Sequence, residues 1–319
     1  MKAAPSRQED ALAPRTAAPS RGAGFRRFVR HRTAVACLAT LGLIVFASAF
    51  GPFFTGYGYE QTSDLQFAPP SRQHLFGTDL HGRDVLTRVL YGGRISLAVG
   101  LIGALVSLTG GVAWGMIAGY RGGRTDLAMM RFVDVLYSLP RLVFVIVLVT
   151  ALDPPLREGL QRLGFVSLAG SARILLLFAG LGIVSWLTMA RIVRGQVLAL
   201  KEQQFVLAAR AMGAGGRRIL GRHLLPNLWG IVIVYLTLTI PAVILDESFL
   251  SFLGLGIQAP QSSWGSLVSD GAAAINPIRI YWWLLVFPGA AMAVTLLALN
   301  LLGDQLRDLL DPRTVRGRE

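Results

Sequence analysis

KEQQFVLAARAMGAGGRRILGRHLLPN, residues 201–227, is a polar, strongly basic interval between two segments apolar enough to cross a membrane. It reads as two short helices, broken by Gly213, Gly215 and Gly216 and stopped by Pro226. Its flanks decide the fold. A bilayer-spanning helix needs about 20 apolar residues, and six segments approach that: 33–54, 95–120, 132–152, 174–190, 228–249 and 281–302. The 319 residues are 53% hydrophobic and 15% charged, against about 25% charged in soluble domains. No segment has the long alternation of an outer-membrane barrel strand. The pattern predicts an all-α polytopic membrane protein with six transmembrane helices.

The net charge of +13 raises nucleic-acid binding, but the distribution of the basic residues excludes it. Lys and Arg in short loops mark the cytoplasmic side. The tail 1–32, the turn 119–131, the interval 191–227 and the C-terminal tail together hold 22 of them, while the opposite loops hold 7. Both termini and the interval are therefore expected in the cytoplasm. Residues 1–32, rich in Ala, Pro, Ser and Arg, read as a disordered tail with an affinity for anionic lipid. Ala47-Ser48-Ala49 resembles a signal-peptidase site, but the preceding polar region is too long, which favours an uncleaved first span. Cys37, the single cysteine, permits no disulfide within the chain and reads as a packing residue.

Residues 55–94 form a long extracytoplasmic loop that sets the first span apart from a core at 95–306 and a tail at 307–319. From Gly82 the loop alternates Val85, Leu86, Val89 and Leu90 with Arg83, Asp84 and Arg88, the pattern of an amphipathic surface helix. In the second span, Gly103, Ser107, Gly111, Gly115 and Gly119 recur every four residues. Such a ladder admits another backbone closely, either inside this subunit or on a second subunit. Pro140, Pro241 and Pro288 fall inside the third, fifth and sixth spans, where bundles tolerate kinks.

Within the basic interval, Ala208, Ala209 and Ala211 give a shallow helical face that a groove can accept, and Gly213 ends that helix. A helix held between two spans can pass rigid-body motion to the bundle. Here the chain resembles the permease subunits of bacterial ABC importers, whose loop reads EAA, three residues, G, nine residues, I-x-LP. Leu207-Ala208-Ala209, Gly213, His223, Leu225 and Pro226 fall on that spacing, with Leu207 in place of the Glu and His223 in place of the Ile. HLFGTDLHGRDVLTRVLYGGRISL (74–97), RFVDVLYSLP (131–140), DESFLSFLGLGIQAPQSSWG (246–265) and LNLLGDQLRDLLDPR (299–313) are similar to the C-type permease of the dipeptide, oligopeptide and nickel importers, as is the extra N-terminal span. The resemblance covers about residues 30–313. It implies the ABC importer transmembrane fold in a bacterial inner membrane. It also implies a heterodimeric pore with a sister permease, two cytoplasmic ATPases that carry ATP and Mg, and an extracytoplasmic solute-binding protein. Val206 to Met212 would then ride in an ATPase groove. Dipeptides, longer peptides, nickel chelates and other small solutes all remain open.

No GxxxxGK[ST] is present, so no ATP site is expected on this chain. Asp134 is a gate candidate that Arg131, a turn earlier, could pair with. Asp246 and Glu247, placed at the external end of the fifth span, could face the pathway and hold a peptide's amino terminus, or stay solvated or pair with Arg279. His74, Asp79, His81 and Asp84 lack metal-ligand spacing and suggest a structured loop that meets the binding protein or caps the pore. Trp264, Trp282 and Trp283 are expected at the membrane interface. No nucleophile, base and orienter occur together, so no catalysis, cofactor or metal is expected. An ion-driven secondary transporter would want mid-span acids and inverted repeats, and neither is evident in the sequence.

Overall fold

The structure, a computed structural model, describes residues 31–257, 261–276 and 279–310. The expectations for most of both tails lie outside them. Ten helices are used here: α1 (Arg32–Phe50), α2 (Val85–Arg121), α3 (Gly123–Tyr137), α4 (Arg141–Arg162), α5 (Val166–Gly170), α6 (Ala172–Leu200), α7 (Gln204–Ala211), α8 (Leu225–Phe252), α9 (Trp264–Ala273) and α10 (Trp283–Leu310). Among the described residues no strand forms, apart from one isolated bridge between Thr78 and Asp84. Five helical runs are long and apolar enough to cross a membrane, and α3 with α4 makes a sixth if the bent pair counts as one span.

The glycine ladder answers to packing within the chain. A Cβ at Gly111 would lie 2.5 Å from Met189, one at Gly115 2.5 Å from the Ala190 carbonyl oxygen, and one at Gly119 2.9 Å from Val197. All three neighbours are on α6. Gly103 meets Val243 of α8 at 2.8 Å, and Ser107 is fully buried. With no apolar driving force between helices in lipid, this close van der Waals approach is what joins them.

Several boundaries differ from the sequence reading. Arg83, Asp84 and Arg88 do not form the wet face of a surface helix. α2 runs unbroken for 37 residues from Val85 into the second span, and Asp84 and Arg88 are buried at its start. The third span is not a helix kinked at Pro140. It breaks there by 84°, and Pro140 becomes the N-cap of α4, because the residue before a proline avoids the helical region. The fourth span extends to Leu200, so the basic interval is shorter than 191–227. The first span does not stand apart: Cys37 and Leu41 pack against Ile244, Ala298, Leu299 and Leu302. Arg94 donates to the Ser48 and Ala49 carbonyls at 2.7 and 2.6 Å, satisfying the end of α1.

Candidate functional site

At one end of the bundle, residues 201–224 fold back on the spans. Val206 and Ala209, on one side of α7, are buried, and Val206 joins a core with Val193, Val197, Ile219, Leu224 and Leu228. The other side presents Leu207, Ala208, Ala211 and Met212, with Met212 82% exposed. Gly213 closes the helix as expected. At φ +78° it lets the Ala214 amide donate to the Ala209 carbonyl and its own amide to that of Arg210. Arg210 lies over the Tyr120 ring, and Lys201 donates to the Gly119 carbonyl, so the loop is tied to α2.

Pro226 does not stop the second short helix, as the spacing had suggested. It sits in the first turn of α8 and the helical run continues from Gly216 to Phe252. The turn before it is widened, which accommodates the proline without stopping the run. A wide turn across Ile219–Leu224 takes up the offset, with the Leu225 amide reaching back to Leu220. His223 is half-buried and Pro226 exposed. The Asn227 side chain donates to the His223 carbonyl at 2.6 Å.

The gate candidates resolve into two groups. Asp134 pairs with Arg191 of α6 at 2.8 Å, and not with Arg131. The Arg191 guanidinium also lies 4.1 Å over the Tyr137 ring. Asp246 pairs with Arg141, the first residue after Pro140, and not with Arg279. Asp134 and Arg141 flank Tyr137 in sequence, and these three and Arg191 are exposed. Arg194 also grips Asp126 through two bonds of 2.5 and 2.6 Å, holding α3 against α6. Arg141 and Arg191 were missed as partners, since they are 105 and 57 residues from their acids. An arginine opening an apolar run after Pro140 was the available signal.

Glu247 does not face a pathway and does not end the span, since α8 continues to Phe252. It is fully buried. Its Oε1 accepts from Ser251 at 2.6 Å and from Ser263, the N-cap of α9, at 2.7 Å. The acid fixes the α8–α9 turn.

At the opposite end, residues 55–84 are structured as expected. Asp84 caps α2 through the Thr87 amide at 2.8 Å and meets His74 Nδ1 at 3.0 Å. Asp79 Oδ2 accepts from Arg83 Nε at 2.7 Å and Arg88 Nη1 at 2.6 Å. Burial disfavours the Asp79 carboxylate, but Arg88 and then Arg83 outweigh it and hold its pKa below the usual carboxylate range. His81 is exposed, but its amide donates to Asp79 Oδ1 at 2.8 Å and its ring meets Arg83 at 3.2 Å. The carboxylates are thus spent on arginine, histidine and helix capping. A cavity of about 790 Å³ opens beside them, lined by Asp79, Arg83, Arg88, Ser262, Asp270 and Leu284. Trp264 and Trp283 are buried and not in an interface belt. Their indoles donate to the Val89 and Thr78 carbonyls at 2.9 and 3.2 Å, whereas Trp282 is half-exposed.

Residues 111–316 match the family described as the binding-protein-dependent transport system inner membrane component. Residues 21–70 match the N-terminal transmembrane domain of oligopeptide transport permease C. The chain is 46% identical over 291 residues to the oligopeptide transport system permease protein OppC of Haemophilus influenzae, covering 90% of this chain and 87% of that one. It is 45% identical over 293 residues to the dipeptide transport system permease protein DppC of Bacillus subtilis, covering 92% and 85%. The Escherichia coli OppC, 46% identical, is covered to 89%.

Proposed function

This chain belongs to the binding-protein-dependent inner-membrane permeases of ABC importers, in their C-type peptide branch, and on that premise we propose that it forms half of a peptide translocation pore. It contributes the membrane pathway and a docking helix. ATP and Mg are held by two partner ATPases, a sister permease completes the pore, and an extracytoplasmic binding protein delivers the solute. The names of its relatives favour peptides over nickel or another small solute. Both termini and α7 face the cytoplasm.

One observation carries the docking role. α7 is anchored to the bundle by Val206 and Ala209 and leaves Leu207, Ala208, Ala211 and Met212 uncovered beside the arginine-rich turn. An apolar helix face with small residues suits insertion into a groove of a partner. Because α7 is tied to α2, α6 and α8, movement of that groove is transmitted to the spans. Leu207, standing where the family has Glu, contributes apolar contact in place of a polar one.

The test is purification in mild detergent, followed by reconstitution with binding protein. A stoichiometric complex with a second permease and ATPases, taking up peptide only with ATP, is the expected result. Ala208→Trp is expected to leave the permease pair assembled while abolishing ATP-driven uptake. A chain that purifies alone and transports on an ion gradient overturns the proposal.

A further inference from the structure

We infer that Arg141 and Asp246 form a station for the charged ends of the transported peptide. Arg141 takes the carboxylate and Asp246 the ammonium, once each is released from the other. This rests on the peptide-permease reading above and assigns contact residues to it.

The argument begins with depth. Gly103 lies at the middle of the 37-residue α2. A Cβ there would meet Val243 of α8, one at Gly182 of α6 would lie 3.0 Å from the Gly103 carbonyl, and one at Gly180 would meet Val145 of α4. Four helices therefore share one level within the spans. Asp246 is one turn beyond Val243, and Arg141 is one turn before Val145. The ion pair thus sits within the bundle of apolar helices and not in a terminal loop.

Its surroundings are apolar and exposed: Leu139, Val143, Val147, Leu245 and Phe249 are all 47% exposed or more. The Arg141 side chain is 40% exposed and that of Asp246 17%. Ionised groups at this depth are costly against lipid and face a bundle interior or a water-filled path. This face is therefore a pathway wall. It continues toward the docking end through Tyr137, Arg191 and Asp134, a second arginine–carboxylate pair.

Charge balance then selects the ligand. Among the described residues Arg141 and Asp246 engage only one guanidinium nitrogen and one carboxylate oxygen in hydrogen bonds, and each other. Separating them for a solute with a single charge would leave one member uncompensated, which is strongly unfavourable away from water. A solute bearing one carboxylate and one ammonium replaces both partners and adds no net charge. A free-ended peptide meets that requirement. An N-acetylated or C-amidated one leaves Asp246 or Arg141 unmatched.

The complete importer, reconstituted with binding protein and ATPases, tests this with a free-ended tripeptide and its N-acetylated and C-amidated forms. Each is supplied above the concentration that saturates the binding protein, measured separately. Loss of one charge-assisted contact corresponds to about a tenfold fall. Asp246→Asn is expected to slow the free-ended peptide by that factor and to erase the wild-type preference for it over the N-acetylated form. Arg141→Gln does the same against the C-amidated form. An equal loss for all three peptides in both single variants, with assembly intact, shows a structural brace and overturns the inference. A wild-type complex that carries none of the peptides overturns the peptide reading instead.

Discussion

Gly115 shows how far a single side chain matters in this bundle. Its missing Cβ is what brings the Ala190 carbonyl within reach, whereas a Cβ at Gly110 would meet Trp186 at an ordinary 3.6 Å. Gly115→Val is expected to lower the thermal stability of the purified protein by about 2 kcal/mol or more, the scale of overpacking, and Gly110→Ala to change it little. Comparison of unfolding temperatures in one detergent decides it. Gly213 differs in kind. Nothing lies within 4 Å of its Cβ position, so only its positive φ resists substitution. Gly213→Val costs about 1–2 kcal/mol of backbone strain at the end of α7 and is expected to uncouple ATP hydrolysis from uptake without preventing assembly, measured as hydrolysis per peptide transported. Asp79 supplies a pH dependence. Its folded pKa is depressed, so its stabilisation is present above the unfolded value near about 3.9 and is lost as pH falls through the folded value. Protease resistance of residues 55–84 is expected to decline on acidification below about pH 4, and Asp79→Asn to be less resistant already at pH 7. The role of Gly213 was legible from spacing because a helix stop is local. The partners of Asp134 and Asp246 were not, because pairing across helices depends on rotations no window of sequence contains.

At the scale of elements, the spans were legible and their ends were not. Hydropathy marks where a helix is apolar, so it found α1, α2, α6, α8 and α10. It is blind to helix that continues through polar residues, as α6 does to Leu200 and α2 does back to Val85. Proline was misread twice for one reason: its effect depends on its place in the helix. At 140 it starts α4 after a break, and at 226 it sits in a first turn, whereas Pro241 and Pro288 lie inside α8 and α10 as expected. The α3–α6 join includes the two-pronged bond between Arg194 and Asp126, whose carboxylate is buried. Asp126→Asn, which weakens that grip, is expected to release α3 by about 2 kcal/mol, seen as faster amide exchange in α3 with α10 unchanged.

For the whole molecule, the asymmetry of 22 basic residues against 7 states an orientation that labelling can check. Cys37 is buried, so the native chain offers little background. Met212→Cys is expected to react with a membrane-impermeant thiol reagent only in inverted vesicles, and Leu65→Cys only in intact spheroplasts. The reverse pattern would put α7 on the wrong side for ATPases. Composition bears on orientation because topology follows loop charge, whereas the near-perpendicular turn at Pro140 needed coordinates.

The length of α2 has a mechanical consequence. At 37 residues it measures about 55 Å, against a hydrocarbon layer of about 30 Å. Its start is buried against Trp264 of α9 and Trp283 of α10, and its last turn carries the Gly119 carbonyl that Lys201 holds. It is thus a rod with a handle in each aqueous compartment. On the proposed docking role, a tilt imposed at the handle by α7 displaces the other without any relay of side chains between them, so that the two mouths of the pore would be geared to each other by one stiff shaft.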